Sequence, residues 1–372
     1  MRRLLLLHAA GLWAATRVAF AVLTVGWLLA LPEGRHVSHD ALRSWLQWDT
    51  GWYIVISRSG YFSTQSAGFF PLYPLLIAVL GAPFGTGDLA RLMVGLAISN
   101  LAALGAFLAI ALIASQEDGG ELPAGRSLRM LAAYPFAVFL AAAYTDALFL
   151  ALAAFAIYFA RRGGFRRAAG LAFLAALARP TGVVLILPLL WELGRRHGWR
   201  LRRHLLPTAL LLAAAVPLAY AVLAAYCLYR FGDPLQFLHS QERYWGHTPE
   251  PPWVTVSLVL TNIVRGHSGL LLLEAGTWLA FAAVLALGAR RLPVSFTLYT
   301  AGLLLAAIAA PIVTTPDVLY SAGRYLTAAF PVFLVLGRWT ETRPWLDLGI
   351  TASGFMLEGL FTVSFLSGGD IH

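Results

Sequence analysis

The run LMVGLAISNLAALGAFLAIALIASQ, residues 92–116, decides the fold. It holds no charged residue and is long enough to cross a hydrocarbon core of ~30 Å as one helix. A second run, LLPTALLLAAAVPLAYAVLAAYCLY at residues 205–229, has the same character, and shorter apolar stretches recur along the whole chain. Hydrophobic residues make up 59% of the 372 and charged residues 12%. Those are the proportions of an integral membrane protein, here an all-α polytopic one. Once the spans are subtracted nothing remains that could fold as a separate soluble domain, so residues 1–372 read as a single membrane domain. Cys227 is the only cysteine and lies in an apolar run, which excludes disulfides and thiolate metal sites. The net charge is +9 and all 27 basic residues are arginine. These arginines sit at the edges of apolar runs, so anionic lipid headgroups rather than nucleic acid are the expected counterpart.

Arginine clusters fall at 2–3, 126–129, 161–167, 195–203, 290–291 and 338–343. The positive-inside bias assigns them all to the cytoplasm, and one arrangement satisfies it. Residues 10–31 span outward, as a retained signal anchor with the N-terminus cytoplasmic. Residues 89–114 return. Residues 128–160 form a hairpin with its tip at Tyr144-Thr145-Asp146 outside. Residues 168–190 form a second hairpin, broken at Arg179-Pro180-Thr181-Gly182. Residues 205–229, 269–289, 293–312, 322–337 and 346–366 complete the set. The outer loops are 32–88 and 230–268. The short segment 69–84, with two prolines near its start, reads as a re-entrant or outer-leaflet helix. Such backbone survives in a membrane only when packed in protein or lining a wet cavity. The expectation is a bundle of about 10–11 transmembrane or half-membrane helices with an outer-side cavity.

The chemistry-bearing residues gather in the two outer loops. Helical spacing puts Trp45, Asp49, Trp52, Tyr53 and Ile56 on one face. A carboxylate on such an apolar face is costly unless it is hydrogen-bonded or does chemistry, and desolvation raises its basicity, which suits a general base. A solvated acid on an interfacial helix is the competing reading. Asp146 in YTDALF is the second acid, with a helix N-cap as its structural alternative. The second loop carries His239, Gln241, Arg243, Tyr244 and Trp245, groups that bind sugar hydroxyls and ring faces, or that line an interfacial belt. Its histidines match no metal-ligand spacing. Arg324, between Tyr320 and Tyr325, is a fork suited to a lipid phosphate, unless it only snorkels at a helix end. Arg179, at the break, is expected to pair with a carboxylate or with carbonyls, and Glu358 to make a polar contact inside the bundle. There is no GxGxxG, no P-loop and no soluble domain for a nucleotide-sugar. A sugar donor carried on a membrane lipid fits better.

The runs WDTGWYIVISRSGY (48–61) and GFFPLYPLL (68–76) resemble the first-loop signature of the PIG-V mannosyltransferases. YTDALF (144–149), LARPTGVVL (177–185), GDPLQFLHSQERYW (232–245) with PPW (251–253), and GRYLTAAFPVF (323–333) resemble that family's later blocks, in order. The resemblance covers roughly residues 10–340 and, with the arginine and alanine bias, suggests a bacterial relative. It implies a GT-C-type fold and an inverting transfer, of mannose in the first expectation, from a polyprenyl-phosphate sugar on the non-cytoplasmic side of the cell membrane. The acceptor would be a glycan, a lipid or a protein. It further implies Asp49 as the base and Asp146 as the second catalytic acid, with aspartate where glutamate is common. Substrate would be held by Trp48, Trp52, Tyr53, His239, Gln241, Arg243, Tyr244, Trp245, Arg324 and Tyr325. No metal or other cofactor is implied, the lipid-linked sugar being a co-substrate. The alternatives are a secondary transporter or lipid flippase, which also needs broken helices and buried charges, and a non-catalytic subunit that binds a polyprenyl lipid.

Overall fold

The computed structural model describes residues 2–30, 41–117, 121–200, 203–266 and 269–369. In chain order the helices are α1 (Arg2–Leu29), α2 (Asp49–Ser59), α3 (Leu72–Gly81), α4 (Asp88–Glu117), α5 (Glu121–Ala132), α6 (Asp146–Arg161), α7 (Phe165–Ala178), α8 (Ile186–Arg196), α9 (Leu206–Phe231), α10 (Gln236–Trp245), α11 (Pro252–Val264), α12 (Gly269–Gly288), α13 (Val294–Ile308), α14 (Ala322–Leu326), α15 (Phe330–Trp339) and α16 (Pro344–Leu366). Tight 3₁₀ turns link several of them. Among the described residues no strand forms, apart from a lone bridge between His247 and Ile312.

Among the described residues five segments are long and apolar enough to cross a membrane: Arg3–Leu29, Asp88–Gln116, Arg203–Phe231, Gly269–Arg291 and Pro344–Leu366. This is an all-α protein with the make-up of a multi-pass membrane protein. Segment 69–84 forms only α3 and a 3₁₀ turn at Ala82–Phe84. At 1.5 Å per residue the ten-residue α3 rises ~15 Å, half of what a crossing needs. Residues 322–337 differ from expectation. They form α14 and α15 with a break between them, because Pro331 lacks an N–H and crowds the preceding turn.

The chain divides into two compact units. One comprises Met1–Gly60, Leu72–Ala154 and Phe333–Ile371. Here α1 packs on α4, α5 and α16, while α3 lies between α2 and α4. The Arg129 guanidinium meets Asp347 at 2.5 Å, joining the last turn of α5 to the first turn of α16.

The second unit comprises Tyr61–Pro71 and Phe155–Val332. Here α7 packs on α9, α8 on α13, and α12 on α13 and α14. The break after α7 occurs where expected. Pro180 opens a 3₁₀ turn, and its carbonyl accepts the Tyr220 hydroxyl of α9 at 2.7 Å. Gly182 sits so close to the α7 backbone at Ala176 that any Cβ would overlap it. Glu192 of α8, 1% exposed, gathers the ends of three helices. Its carboxylate meets Arg161 at 3.2 Å and Arg195 at 2.7 Å, and accepts the Ser295 hydroxyl at 2.5 Å. The arginine clusters at 161–167 and 195–203 therefore meet through one carboxylate.

Candidate active site

In the first unit the acidic site begins with a segment that is not helical. Residues Ala141–Asp146 join the 3₁₀ turn Pro135–Leu140 to α6, and every one of them is buried, at 5% exposure or less. The expected hairpin tip is thus an interior loop rather than a surface turn. An irregular backbone inside an apolar bundle must have its carbonyls satisfied, and side chains from three helices do so. Arg17 of α1 donates to the Leu140 carbonyl at 3.1 Å. Asn100 of α4 donates to Ala141 at 3.1 Å, and Ser99 to Tyr144 at 2.9 Å. Thr50 of α2 reaches Ala143 at 3.4 Å.

The same loop holds α2. The Tyr144 hydroxyl accepts the Asp49 N–H at 3.2 Å and donates to the Gln47 carbonyl at 3.4 Å. Asp49 is the first residue of α2 and Asp146 the first of α6. Two of the three residues before Asp146 are therefore bonded to the opening turn of the helix that Asp49 begins. The sequence-predicted acids are brought to one junction. Thr145 rather than Asp146 caps α6, since its carbonyl receives the Phe149 N–H at 2.8 Å. Asp146 is 3% exposed and Asp49 half-buried. Each stands at the amide end of a helix, which favours negative charge by ~0.3–1 kcal/mol.

The aromatic stripe is split. Because α2 starts at Asp49, Trp45 lies outside the helix and packs instead on α1, with its indole N–H on Thr24 at 3.3 Å and its ring edge-on to Phe20. Trp48 turns the chain into α2 with φ of 49°, a conformation costly for a residue with a side chain. Its ring is 50% exposed, and its indole N–H meets the Gly369 carbonyl at 3.3 Å. Trp52 is half-buried, and Tyr53 is buried edge-on to Tyr73 and Tyr144. The Tyr73 hydroxyl lies 2.7 Å from Ser99, which links α3 to the same junction. Ser99, Asn100, Tyr73 and Tyr144 carry this site yet were not legible as such. Their spacing is that of any small polar group in an apolar helix.

Arg17 also bonds the Asn100 side chain at 2.7 Å. Glu358 of α16 is buried within the electrostatic reach of Arg17, and one of its oxygens has no hydrogen-bond partner. It is the interior polar group expected.

In the second unit, α10 grips the segment 61–70. Ser240 donates to the Thr64 carbonyl at 2.5 Å, Gln241 to Gly68 at 2.8 Å, and the hydroxyls of Tyr244 and Thr64 lie 2.7 Å apart. Trp245 sits edge-on to Phe69, and a Cβ on Gly68 would come within 2.8 Å of its ring. Arg230 adds a bond to the Tyr61 carbonyl at 3.1 Å. Gln241, Tyr244 and Trp245 thus come together on one face of α10 and fasten a loop. His239 and Arg243 point elsewhere. The His239 Nδ1 lies 2.6 Å from Asp233, a pairing that holds the Asp233 carboxylate below its usual range. Arg243 is exposed over the Tyr244 ring.

Arg324 is buried at 9% exposure on the short helix α14, next to Tyr325. The Arg179 guanidinium, expected on a carboxylate or carbonyls, lies 4.8 Å from the centre of the Tyr325 ring. Among the described residues no three His, Cys, Asp or Glu side chains gather as a metal site. No protein-family model matches the chain, and no curated protein matches it.

Proposed function

We propose that this protein is an inverting glycosyltransferase of the GT-C type, related to the PIG-V enzymes. It would move a sugar, mannose in the first expectation, from a polyprenyl phosphate to an acceptor hydroxyl on the non-cytoplasmic side, with the N-terminus cytoplasmic. The observation that carries the reading is the buried junction at 141–146, which starts α6 at Asp146 and is hydrogen-bonded through Tyr144 and Thr50 to the opening turn of α2, where Asp49 stands. In the proposed step the acceptor oxygen attacks the anomeric carbon and gives its proton to Asp49. The bond from that carbon to the phosphate oxygen breaks, and polyprenyl phosphate leaves with the electron pair. Asp146 is the second acid, accepting hydrogen bonds from substrate hydroxyls, and Trp48 and Trp52 offer ring faces to the sugar. The leaving phosphate gains charge in the transition state and calls for a cation. In the second unit, Arg324 is proposed to bind a lipid phosphate, since a guanidinium fork matches phosphate geometry.

Asp49→Asn keeps the shape of the side chain and removes its basicity. Turnover, read as release of free polyprenyl phosphate from a sugar-charged lipid, is expected to fall by on the order of 10²–10⁴ with the melting temperature unchanged. Wild-type turnover by that variant removes Asp49 from the role. The second reading, a secondary transporter or lipid flippase, draws on Glu274 and Glu358, buried inside span helices, and on the half-buried Arg17. A transporter moves the charged lipid intact, so no free polyprenyl phosphate is produced.

A further inference from the structure

Glu274 belongs to none of the motifs above. It lies on α12 at 2% exposure, in an apolar cluster of Leu271, Ala275, Val318, Leu319 and Ala322. A carboxyl in a span helix is costly and is usually tied to function. One of its oxygens accepts the N–H of Gly323, and the other is buried without a partner. That amide lies in the first turn of α14, which begins directly after Ser321. Ser321 has φ of 70°, the left-handed region that a residue with a side chain enters only when its surroundings compel it. A side chain that served packing alone at this position would be apolar. This one stays polar, and its bond falls on the strained turn immediately before Arg324.

We propose that Glu274 is a positioning residue. By holding the amide of Gly323 it fixes the turn that aims Arg324, and so sets the affinity for the donor's phosphate. This rests on the reading of Arg324 given above.

The test uses the full chain in lipid nanodiscs, with undecaprenyl phosphate as the probe. Arg324→Gln is expected to weaken its binding about tenfold or more. Glu274→Ala should cost about tenfold, and Glu274→Gln, which keeps one acceptor oxygen, roughly threefold. In the Arg324→Gln background Glu274→Ala should change nothing further, because the route by which it acts has been removed. Wild-type binding by Glu274→Ala overturns the proposal, as does a loss equally large in the Arg324→Gln background, which is the mark of a general effect on folding. Wild-type binding by Arg324→Gln overturns the phosphate role of Arg324 and the proposal with it. An effect of Arg324→Gln without one of Glu274→Ala leaves the former standing alone. If Glu274→Ala does not fold, Glu274→Gln carries the same comparison at nearly constant volume.

Discussion

Tyr144→Phe removes one oxygen atom and tests the junction directly. The ring is 1% exposed and packs on Phe139 and Phe365 at centroid distances of 5.1 and 5.9 Å, so phenylalanine fits in its place. What is lost is the pair of bonds to the Asp49 N–H at 3.2 Å and the Gln47 carbonyl at 3.4 Å. Both are long, so each contributes ~0.5–1 kcal/mol net and the two together ~1–2 kcal/mol. The left-handed backbone at Trp48, directly before Asp49, costs ~1–3 kcal/mol. Tether and strain are of similar size, so deleting the tether lets the turn relax. Global stability should fall by only ~1–2 kcal/mol, whereas a shift of the proposed base by ~1 Å would cost up to about a hundredfold in rate. Amide exchange at Asp49 and release of polyprenyl phosphate should therefore change together, well out of proportion to the melting temperature. A variant whose Asp49 amide exchanges quickly while turnover stays at the wild-type rate would refute the link between the tether and the chemistry.

Three further outcomes follow from the packing. Glu192→Ala leaves Arg161, 14% exposed, without its carboxylate. Breaking a buried pair costs ~3–5 kcal/mol, and denaturation in detergent should show the lower end of that range because Arg195 is half-exposed. Gly182→Ala pushes a methyl into the Ala176 backbone and should cost ~1–3 kcal/mol in the same assay. Burial pushes the His247 imidazole below its ordinary value of 6.5, against the opposing bond from Nδ1 to the Ala310 carbonyl. The folded state then binds fewer protons than the unfolded one, so this stability is present above the ordinary value and is lost as pH falls below it. Melting temperatures between about pH 7 and about pH 5 should decline, and His247→Asn, which keeps a donor in the Nδ1 position, should flatten that decline.

What the sequence made legible follows from the range of the forces involved. The long spans were readable because hydrophobic length is a local property. The expected 89–114, 205–229, 269–289 and 346–366 lie within Asp88–Gln116, Arg203–Phe231, Gly269–Arg291 and Pro344–Leu366. The break at 179–182 was readable for the same reason, since Pro180 and Gly182 act on their own neighbours. The face containing Trp45 and Asp49 was misread because periodicity assumes an unbroken helix. The strained φ at Trp48 ends that assumption, and nothing in the residue type announces it.

The polar side chains of the second loop show the deeper limit. Gln241, Tyr244 and Trp245 have the composition of a sugar pocket, yet their polar atoms and rings are turned on residues 64–69, some 170 positions earlier in the chain. A glutamine amide satisfied by a carbonyl and one satisfied by a sugar look identical in a sequence, because the side chain specifies the bond and not the partner. The converse holds at 141–146. Alanines there signal only small size, but small size lets Ser99, Asn100 and Thr50 reach the carbonyls and allows an interior loop to exist at all. A site of this kind is built by whatever satisfies the backbone beneath the acids, so residues such as Tyr144 and Ser99 decide where Asp49 and Asp146 stand without being chemically reactive themselves.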